Sequence, residues 1–257
     1  MTLTDKAAEL LRLHIDPELL VVVNVWDVIS ATVVSDQPGC HALATASHSI
    51  AASYGYDDGE QIPVDLMIYM CGRIAGAVDL PVTADLEAGY GDPGETTRRA
   101  IGVGIVGANL EDEMKPLAEA VAAVEAVAKA AETEGVSFVL NARTDAYLRA
   151  GDRDPEDVRA DAIERGRAFL DAGAACVFVP GLLNETTITG LVEGIGERRV
   201  SVIGVPGMPA GSRLAELGVA RVSYGPWSQR VALTALADTA ADLLAGGSLP
   251  EGVRPLS

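Results

Sequence analysis

The stretch PVTADLEAGYGD, residues 81–92, joins a short apolar run to two acidic residues and then to a glycine-rich turn. A run of this kind is typical of a strand in a parallel sheet whose two faces are both covered. Seven comparable runs occur along the chain, at residues 21–26, 42–47, 107–112, 138–144, 176–181, 200–204 and 221–226. Together they predict eight strands.

Helical patterns alternate with these runs, and the clearest lie at residues 67–78, 117–134, 155–172 and 227–244. Eight strand-then-helix units in a chain of 257 residues match a (β/α)8 TIM barrel. An open doubly wound sheet is the alternative, but no GxGxxG motif follows the first run. We therefore predict a single barrel domain over residues 1–257.

The composition restricts the partners that the protein can have. Apolar residues make up 49% of the chain, which excludes a disordered protein. A net charge of −18 disfavours nucleic acid and anionic membrane surfaces, because both require patches of Lys and Arg. The apolar run at residues 19–29 is too short to cross a bilayer. We expect neither a nucleic-acid partner nor a membrane partner.

The cysteines and the first residues bear on the compartment. Cys40, Cys71 and Cys176 are odd in number, widely spaced and form no CxxC pair, so no disulfide framework is expected. Residues 1–14 form an ordinary amphipathic stretch rather than a signal peptide. Reduced thiols without a signal peptide indicate a cytoplasmic protein.

Acidic residues and one arginine gather at the ends of the third, fourth and fifth runs, where a barrel of this kind forms its active site. Asp85 and Glu87 are two residues apart, so on an ideal strand they share a face; Glu111 ends the next run. Three buried carboxylates need a counter-charge, and Mg²⁺ accepts a few carboxylates while it keeps several waters. Arg143 can pair with one carboxylate or clamp a substrate carboxylate. Solvated loop charges, or an Arg143–Glu111 ion pair without metal, are the alternatives.

Other candidate residues carry weaker signals. We expect His14 on a helix surface and His41 in a structural role, whereas His48 follows the second strand and can reach the barrel mouth. Cys176 begins an apolar run and is expected to be a core thiol. Trp26 can line the mouth or fill the barrel. No HxH, HExxH or GxSxG motif is present.

The stretch PVTADLEAGYGD resembles the metal-binding signature of the isocitrate lyase/phosphoenolpyruvate mutase superfamily. The likeness continues in order along roughly residues 20–230, through NVWDVISA (24–31), ALATASHSIAASYGYDDGE (42–60), GVGIVGANLED (102–112), NARTDAY (141–147), AGAACVFVPG (172–181) and LAELGVARVSYGP (214–226). The resemblance implies a barrel that binds Mg²⁺ or Mn²⁺ and a small 2-oxo or 2-hydroxy carboxylic acid. It also implies a homodimer or homotetramer whose subunits exchange their C-terminal helices.

The resemblance assigns roles to residues of this chain. Asp85 matches the direct metal ligand, while Asp58, Glu87 and Glu111 match residues that hold the metal largely through water. Arg143 matches the substrate-binding arginine, and the catalytic set that it implies is Arg143, Glu111 and Asp58. The expected substrate contacts are Trp26, Thr45, Ala46, Ser47, Asp85 and Arg143, with backbone amides at residues 45–47 holding the carboxylate.

The chain departs from its relatives after the fourth strand. Isocitrate and methylisocitrate lyases carry a K-(K/R)-C-G-H loop whose cysteine is the acid, but Glu111 is followed here by DEMKPL without Cys or His. The mutase's loop asparagine is also absent from this segment. Glu113, Lys115 or a metal-bound water can supply the acid. Ala46 replaces a common Ser or Thr, His48-Ser49 replaces an Ala-Gly pair, and Ser201 stands near a common Asn.

Three hypotheses follow. The first is a Mg²⁺-dependent lyase or decarboxylase that cleaves a carbon–carbon bond of a small 2-oxo or 2-hydroxy (di)carboxylic acid through a metal-stabilised enolate. The second is phosphorus–carbon chemistry, as in a phosphonopyruvate hydrolase or a carboxyphosphonate or phosphoenolpyruvate mutase. The third is a barrel that binds oxo-acids without turnover.

Overall fold

A computed structural model describes residues 1–254 and contains a closed barrel of eight parallel strands. The strands pair in chain order, and the last pairs with the first, Val21 lying opposite Val222. Their bounds are β1 (Leu20–Val25), β2 (Leu43–Thr45), β3 (Val82–Asp85), β4 (Gly107–Glu111), β5 (Val139–Arg143), β6 (Cys176–Phe178), β7 (Val200–Ile203) and β8 (Arg221–Ser223). Each overlaps one predicted run, and the predicted (β/α)8 TIM barrel is confirmed. Residues 255–257 of the predicted domain lie outside the described part.

Helices alternate with the strands around the barrel. They are α1 (Leu3–Ile15), α2 (Val28–Ser35), α3 (Ser47–Ser53), α4 (Val64–Ala75), α5 (Pro93–Gly102), α6 (Leu117–Glu134), α7 (Pro155–Asp171), α8 (Glu185–Ile195), α9 (Gly211–Glu216) and α10 (Trp227–Leu244). The predicted helix at residues 67–78 begins and ends three residues earlier, with Pro63 at its N-cap and Gly76 at its C-cap. No helix in residues 1–254 combines the length and apolarity needed to cross a membrane.

Helix α1 packs against the amino-terminal ends of the strands. Three apolar residues of α1, Ala7, Leu10 and Leu13, belong to one buried cluster. The same cluster contains residues at or just before the starts of strands, namely Leu20, Ala42, Val106 and Val139. The prediction that His14 lies on a helix surface is wrong, because it is 1% exposed and its Nδ1 lies 2.8 Å from the Leu10 carbonyl oxygen. Four residues apart, Leu10 and His14 share the buried face. Burial lowers the pKa of His14 to about 3.

Polar side chains fill the middle of the barrel and tie its strands together. Asn24 donates to the Thr45 carbonyl at 2.8 Å and accepts from the amides of Tyr224 and Gly225, so it joins β1 to the ends of β2 and β8. Cys176 is fully buried, as predicted for a core thiol. The Arg221 guanidinium is also fully buried, and none of its nitrogens has a hydrogen-bond partner among the described residues.

Candidate active site

A cavity of about 630 Å³ opens at the carboxyl ends of the strands. Its polar lining comes from the strands, from the loops that follow them and from α10: Asn24, Ser47, His48, Asp58, Asp85, Asn109, Arg143, Ser223 and Arg230. Its apolar lining includes Leu148, Phe178, Pro180, Leu182, Ile203, Val205, Pro206 and Trp227. This is the end of the barrel at which such folds place their active sites.

Asp85, the last residue of β3, is positioned by the end of β2. Its Oδ2 accepts from the Ser47 hydroxyl at 2.8 Å and from the Ser47 amide at 3.2 Å. Its own amide donates to the Thr45 hydroxyl at 2.9 Å. No hydrogen bond to Oδ1 occurs within residues 1–254, so this oxygen is available to a ligand in the cavity.

Glu87 does not share a strand face with Asp85, and that expectation is wrong. Strand β3 ends at Asp85, and Glu87 has a φ of 51°, in the left-handed region that redirects its side chain. Its carboxylate accepts from the Tyr90 hydroxyl at 2.6 Å and from the Glu60 amide. Burial raises the pKa of Glu87, and the charges of Asp85 and Asp58 add to this effect while the hydrogen bonds oppose it.

Glu111 and Arg143 form the ion pair that the sequence offered as one alternative. Arg143 Nη1 lies 2.6 Å from Glu111 Oε2, and Arg143 Nε donates to Asp145 at 2.7 Å. Burial raises the pKa of Glu111 to about 8; Asp145, Asp85 and Glu87 add to the rise, while Arg143 opposes it. Two of the three guanidinium nitrogens of Arg143 are therefore committed to carboxylates of the protein.

The cavity brings together five of the predicted site residues, namely Ala46, Ser47, Asp58, Asp85 and Arg143. Three others are outside its lining: Thr45 is fully buried and accepts from the Asp85 amide, while Glu87 and Glu111 are close enough for the Asp85 charge to raise the pKa of each. Trp26 does not line the cavity and packs against the apolar cluster around β1–β4.

The backbone amides that were expected to hold a substrate carboxylate are already engaged. Ala46 donates to the Val25 carbonyl at 3.3 Å, and Ser47 donates to Asp85.

Glu113 and Lys115, the two side-chain candidates for the acid, do not line the main cavity. Lys115 lines a separate cavity of about 290 Å³ beside Glu111 and pairs with Glu113 at 2.6 Å.

Several lining residues were not found from the sequence. Trp227 and Arg230 belong to α10, Leu148 follows β5, and Leu182 and Val205 follow β6 and β7. The sequence argument considered only charged residues at strand ends, so it missed apolar residues in the loops and residues of α10. Buried polar residues inside otherwise apolar strands, such as Asn24 and Asn109, were the signal in the sequence from which the polar interior of the barrel could have been predicted.

The carboxylates have the chemistry of a site for a hard divalent cation. No three His, Cys, Asp or Glu side chains within residues 1–254 form a preassembled metal cluster. Burial is the main cause of the raised pKa of Glu87 and of Glu111, and neighbouring carboxylate charges add to it, an effect that a bound cation would offset. One free oxygen on Asp85, with further carboxylates behind it, fits Mg²⁺, which takes few carboxylates directly and reaches others through water.

Comparison with known proteins gives a family and named relatives. Residues 10–244 match the family model described as phosphoenolpyruvate phosphomutase. An uncharacterised protein of Mycobacterium tuberculosis is 32% identical over 244 residues, which is 94% of this chain and 91% of that protein. A 2,3-dimethylmalate lyase of Eubacterium barkeri is 27% identical over 215 residues, 73% of this chain and 72% of that protein.

Solved structures give the same result. A Burkholderia cenocepacia protein provisionally named a phosphonomutase superposes with a TM-score of 0.88 and is 39% identical in sequence. The match covers 96% of this chain and 100% of that one. The likeness therefore extends over the whole barrel, rather than over a local motif.

Proposed function

The chain belongs to the phosphoenolpyruvate phosphomutase family, within the isocitrate lyase/phosphoenolpyruvate mutase superfamily as its sequence predicted, and from this premise we propose its reaction. The superfamily comprises lyases and mutases that act on small carboxylates, and this chain is an enzyme of that group. We propose that it is a Mg²⁺-dependent lyase or decarboxylase that cleaves a carbon–carbon bond of a 2-oxo or 2-hydroxy (di)carboxylic acid.

One observation carries this proposal. Asp85 presents a free carboxylate oxygen to the cavity, and Ser47 and Thr45 fix the other oxygen and the backbone of the same residue. Asp58 and Arg143 line the same cavity, and Arg143 supplies a cation for an acidic substrate. A fixed carboxylate with one open position, facing a cation, supports binding of a metal and an anion side by side.

The proposed roles follow from this arrangement. Asp85 would hold the cation directly, with Asp58, Glu87 and Glu111 acting behind it through water. The bound cation would act as a Lewis acid that stabilises negative charge on substrate oxygens. Arg143 would orient the substrate carboxylate with its remaining nitrogen, Nη2, while Glu111 and Asp145 hold the guanidinium in place.

The missing loop cysteine favours a reaction that needs little acid help. When a 3-carboxy-2-oxo acid loses CO₂, the electron pair of the broken bond stays on the 2-oxo fragment as its enolate, and this fragment takes up a proton from water afterwards. In a decarboxylation the other fragment is CO₂, which leaves without being protonated. Phosphorus–carbon chemistry is the second candidate, because the Burkholderia cenocepacia protein with 39% identity carries a phosphonomutase name.

The test is calorimetric titration of oxalate, which has the shape and charge of the pyruvate enolate, with and without Mg²⁺. We expect binding that requires Mg²⁺, is lost in Asp85→Asn and is kept in Asp79→Asn, an exposed control. A turnover screen of oxo-acids, hydroxy-acids and phosphonates then separates the two reactions, since only the second releases phosphate or rearranges a phosphonate. Oxalate binding without Mg²⁺ dependence, or unchanged binding in Asp85→Asn, would refute the proposal.

We also propose that the enzyme is a homo-oligomer joined through α10. The helix leaves large apolar side chains uncovered, with Leu233, Leu236 and Leu244 exposed by 54%, 63% and 90%. These positions fall on one face of the helix, which suits burial against a second copy.

A further inference from the structure

The cavity has two chemically different halves. Its polar half contains Asp85 and Arg143, on strands β3 and β5. Its other half is formed by apolar side chains that follow β5, β6 and β7 and begin α10, among them Leu148, Leu182 and Val205. The proposed reaction uses the polar half alone and gives this apolar half no role.

The volume of the cavity exceeds what a short oxo-acid needs. At about 630 Å³ it lies within the range of roughly 300–1,000 Å³ that holds drug-sized ligands. Leu148 and Leu182 line the cavity and are 53% and 70% exposed, so two large apolar side chains are open to a ligand. An apolar carbon chain on the substrate would cover both.

One cation in the lining has no carboxylate partner. Arg143 is held by Glu111 and Asp145, whereas the Arg230 side chain makes no hydrogen bond or ion pair with any described residue. Its guanidinium carbon lies 4.9 Å from the centroid of the Trp227 ring, and both residues line the cavity. This contact holds a cation in the cavity lining, on the first turn of α10.

We propose that the substrate has a second anionic group, carried on an apolar chain, and that Arg230 binds it. This inference rests on the proposed function, which places the reacting carboxylate beside Asp85 and Arg143. The apolar chain would cross the lining formed by Leu182, Val205 and Trp227. Arg230 and these side chains then determine specificity, while the residues around Asp85 determine the chemistry.

The test uses two ligand series, measured by calorimetry with saturating Mg²⁺. One series comprises 2-oxo monocarboxylic acids of five, six and seven carbons; the other comprises 2-oxoglutarate, 2-oxoadipate and 2-oxopimelate, which add a terminal carboxylate at equal carbon number. We expect affinity in the monocarboxylate series to rise about threefold with each added methylene. For at least one chain length, the dicarboxylate should bind at least tenfold more tightly than the monocarboxylate with the same number of carbons.

Variants separate the two parts of the inference. Arg230→Met keeps an apolar stem and should remove the preference for dicarboxylates. Leu182→Ser should reduce the gain with chain length. Arg98→Met, an exposed arginine on α5, is the matched control and should change neither. Thermal melts check that each variant is folded.

Each outcome separates this inference from the proposed function. If oxalate binds with Mg²⁺ but mono- and dicarboxylates of every length bind alike, or Arg230→Met keeps the preference, the inference is wrong and the function stands. If oxalate fails to bind while the Arg230-dependent preference persists, the second anionic site stands and the proposed chemistry falls. If no ligand binds, both are overturned.

Discussion

Glu111 is a carboxyl group whose ionisation the surrounding structure opposes. Burial of its side chain is the main cause; the charges of Asp145, Asp85 and Glu87 add to the effect, while Arg143 opposes it. Its pKa is accordingly raised from 4.5 to about 8. In the absence of a divalent cation, this carboxyl group therefore takes up a proton near neutral pH.

The raised pKa predicts a loss of stability with rising pH. A group whose pKa is higher in the folded state favours folding at low pH, and its contribution is lost as pH rises through the folded value. His14 has a lowered pKa and acts in the opposite direction below pH 6.5, so the informative window begins there. Between pH 6.5 and 8, Glu111 should reduce the free energy of unfolding by about 2 kcal/mol.

Urea unfolding in EDTA across this pH range measures the effect. Glu111→Gln should show a flatter pH dependence than the unmodified protein, while Glu125→Gln, an exposed residue on α6, should retain the full slope. The assignment fails if the slope is equal in Glu111→Gln and in the unmodified protein.

The sequence identified Asp85, Glu111 and Arg143 because each ends a strand, and the strand ends of a barrel meet at one face. It could not orient Glu87, because a residue with positive φ after a strand breaks the alternation on which the argument depended. Arg230 was also out of reach: its place at the cavity depends on how α10 packs, which no local pattern encodes.

At the scale of elements, Asp112 links the end of β4 to β5 and α7. Asp112 is buried, with 4% of the residue exposed. Its carboxylate accepts hydrogen bonds from the Met114 amide at 2.9 Å, the Asp145 amide at 3.0 Å and the Arg165 guanidinium of α7 at 3.1 Å. It therefore fixes the loop that follows Glu111.

Removing this carboxylate should be costly. Asp112→Ala leaves two amides without their acceptor and leaves Arg165 with Asp161 and the Lys115 carbonyl as its partners, which predicts a loss of about 2–3 kcal/mol in the free energy of unfolding. Urea denaturation measures it. Glu113→Ala, which breaks only the exposed pair with Lys115, should cost less than about 1 kcal/mol. Similar losses in both variants would show that Asp112 does not fix the loop.

The elements themselves were largely predictable. The apolar runs located all eight strands. Each of the last three runs continues past the observed end of its strand, because the Pro and Gly residues that follow the strand do not interrupt the apolar pattern although they do not pair in the sheet. The environment of α1 was not predictable. Its amphipathic pattern indicated one buried face and one exposed face, and His14 was assigned to the exposed face because its side chain is polar.

At the scale of the whole molecule, α10 differs from the other long helices because most of it is exposed. Gln229 is its one buried residue, and this side chain donates to the Ser49 carbonyl and the Ser53 hydroxyl of α3. The rest of the helix has apolar side chains without a covering layer in residues 1–254. A second subunit would cover this face, as the family resemblance implies.

Light scattering coupled to size-exclusion chromatography tests the proposed oligomer. We expect the unmodified protein to elute as a dimer or tetramer, and Leu233→Glu/Leu236→Glu to shift toward the mass of one chain, because charges on this face oppose its burial. Ile15→Glu, which places a charge on an exposed apolar residue at the end of α1, should keep the original mass. A monomeric unmodified protein, or a double variant of unchanged mass, would contradict assembly through α10 and would leave its apolar face without a partner of this kind.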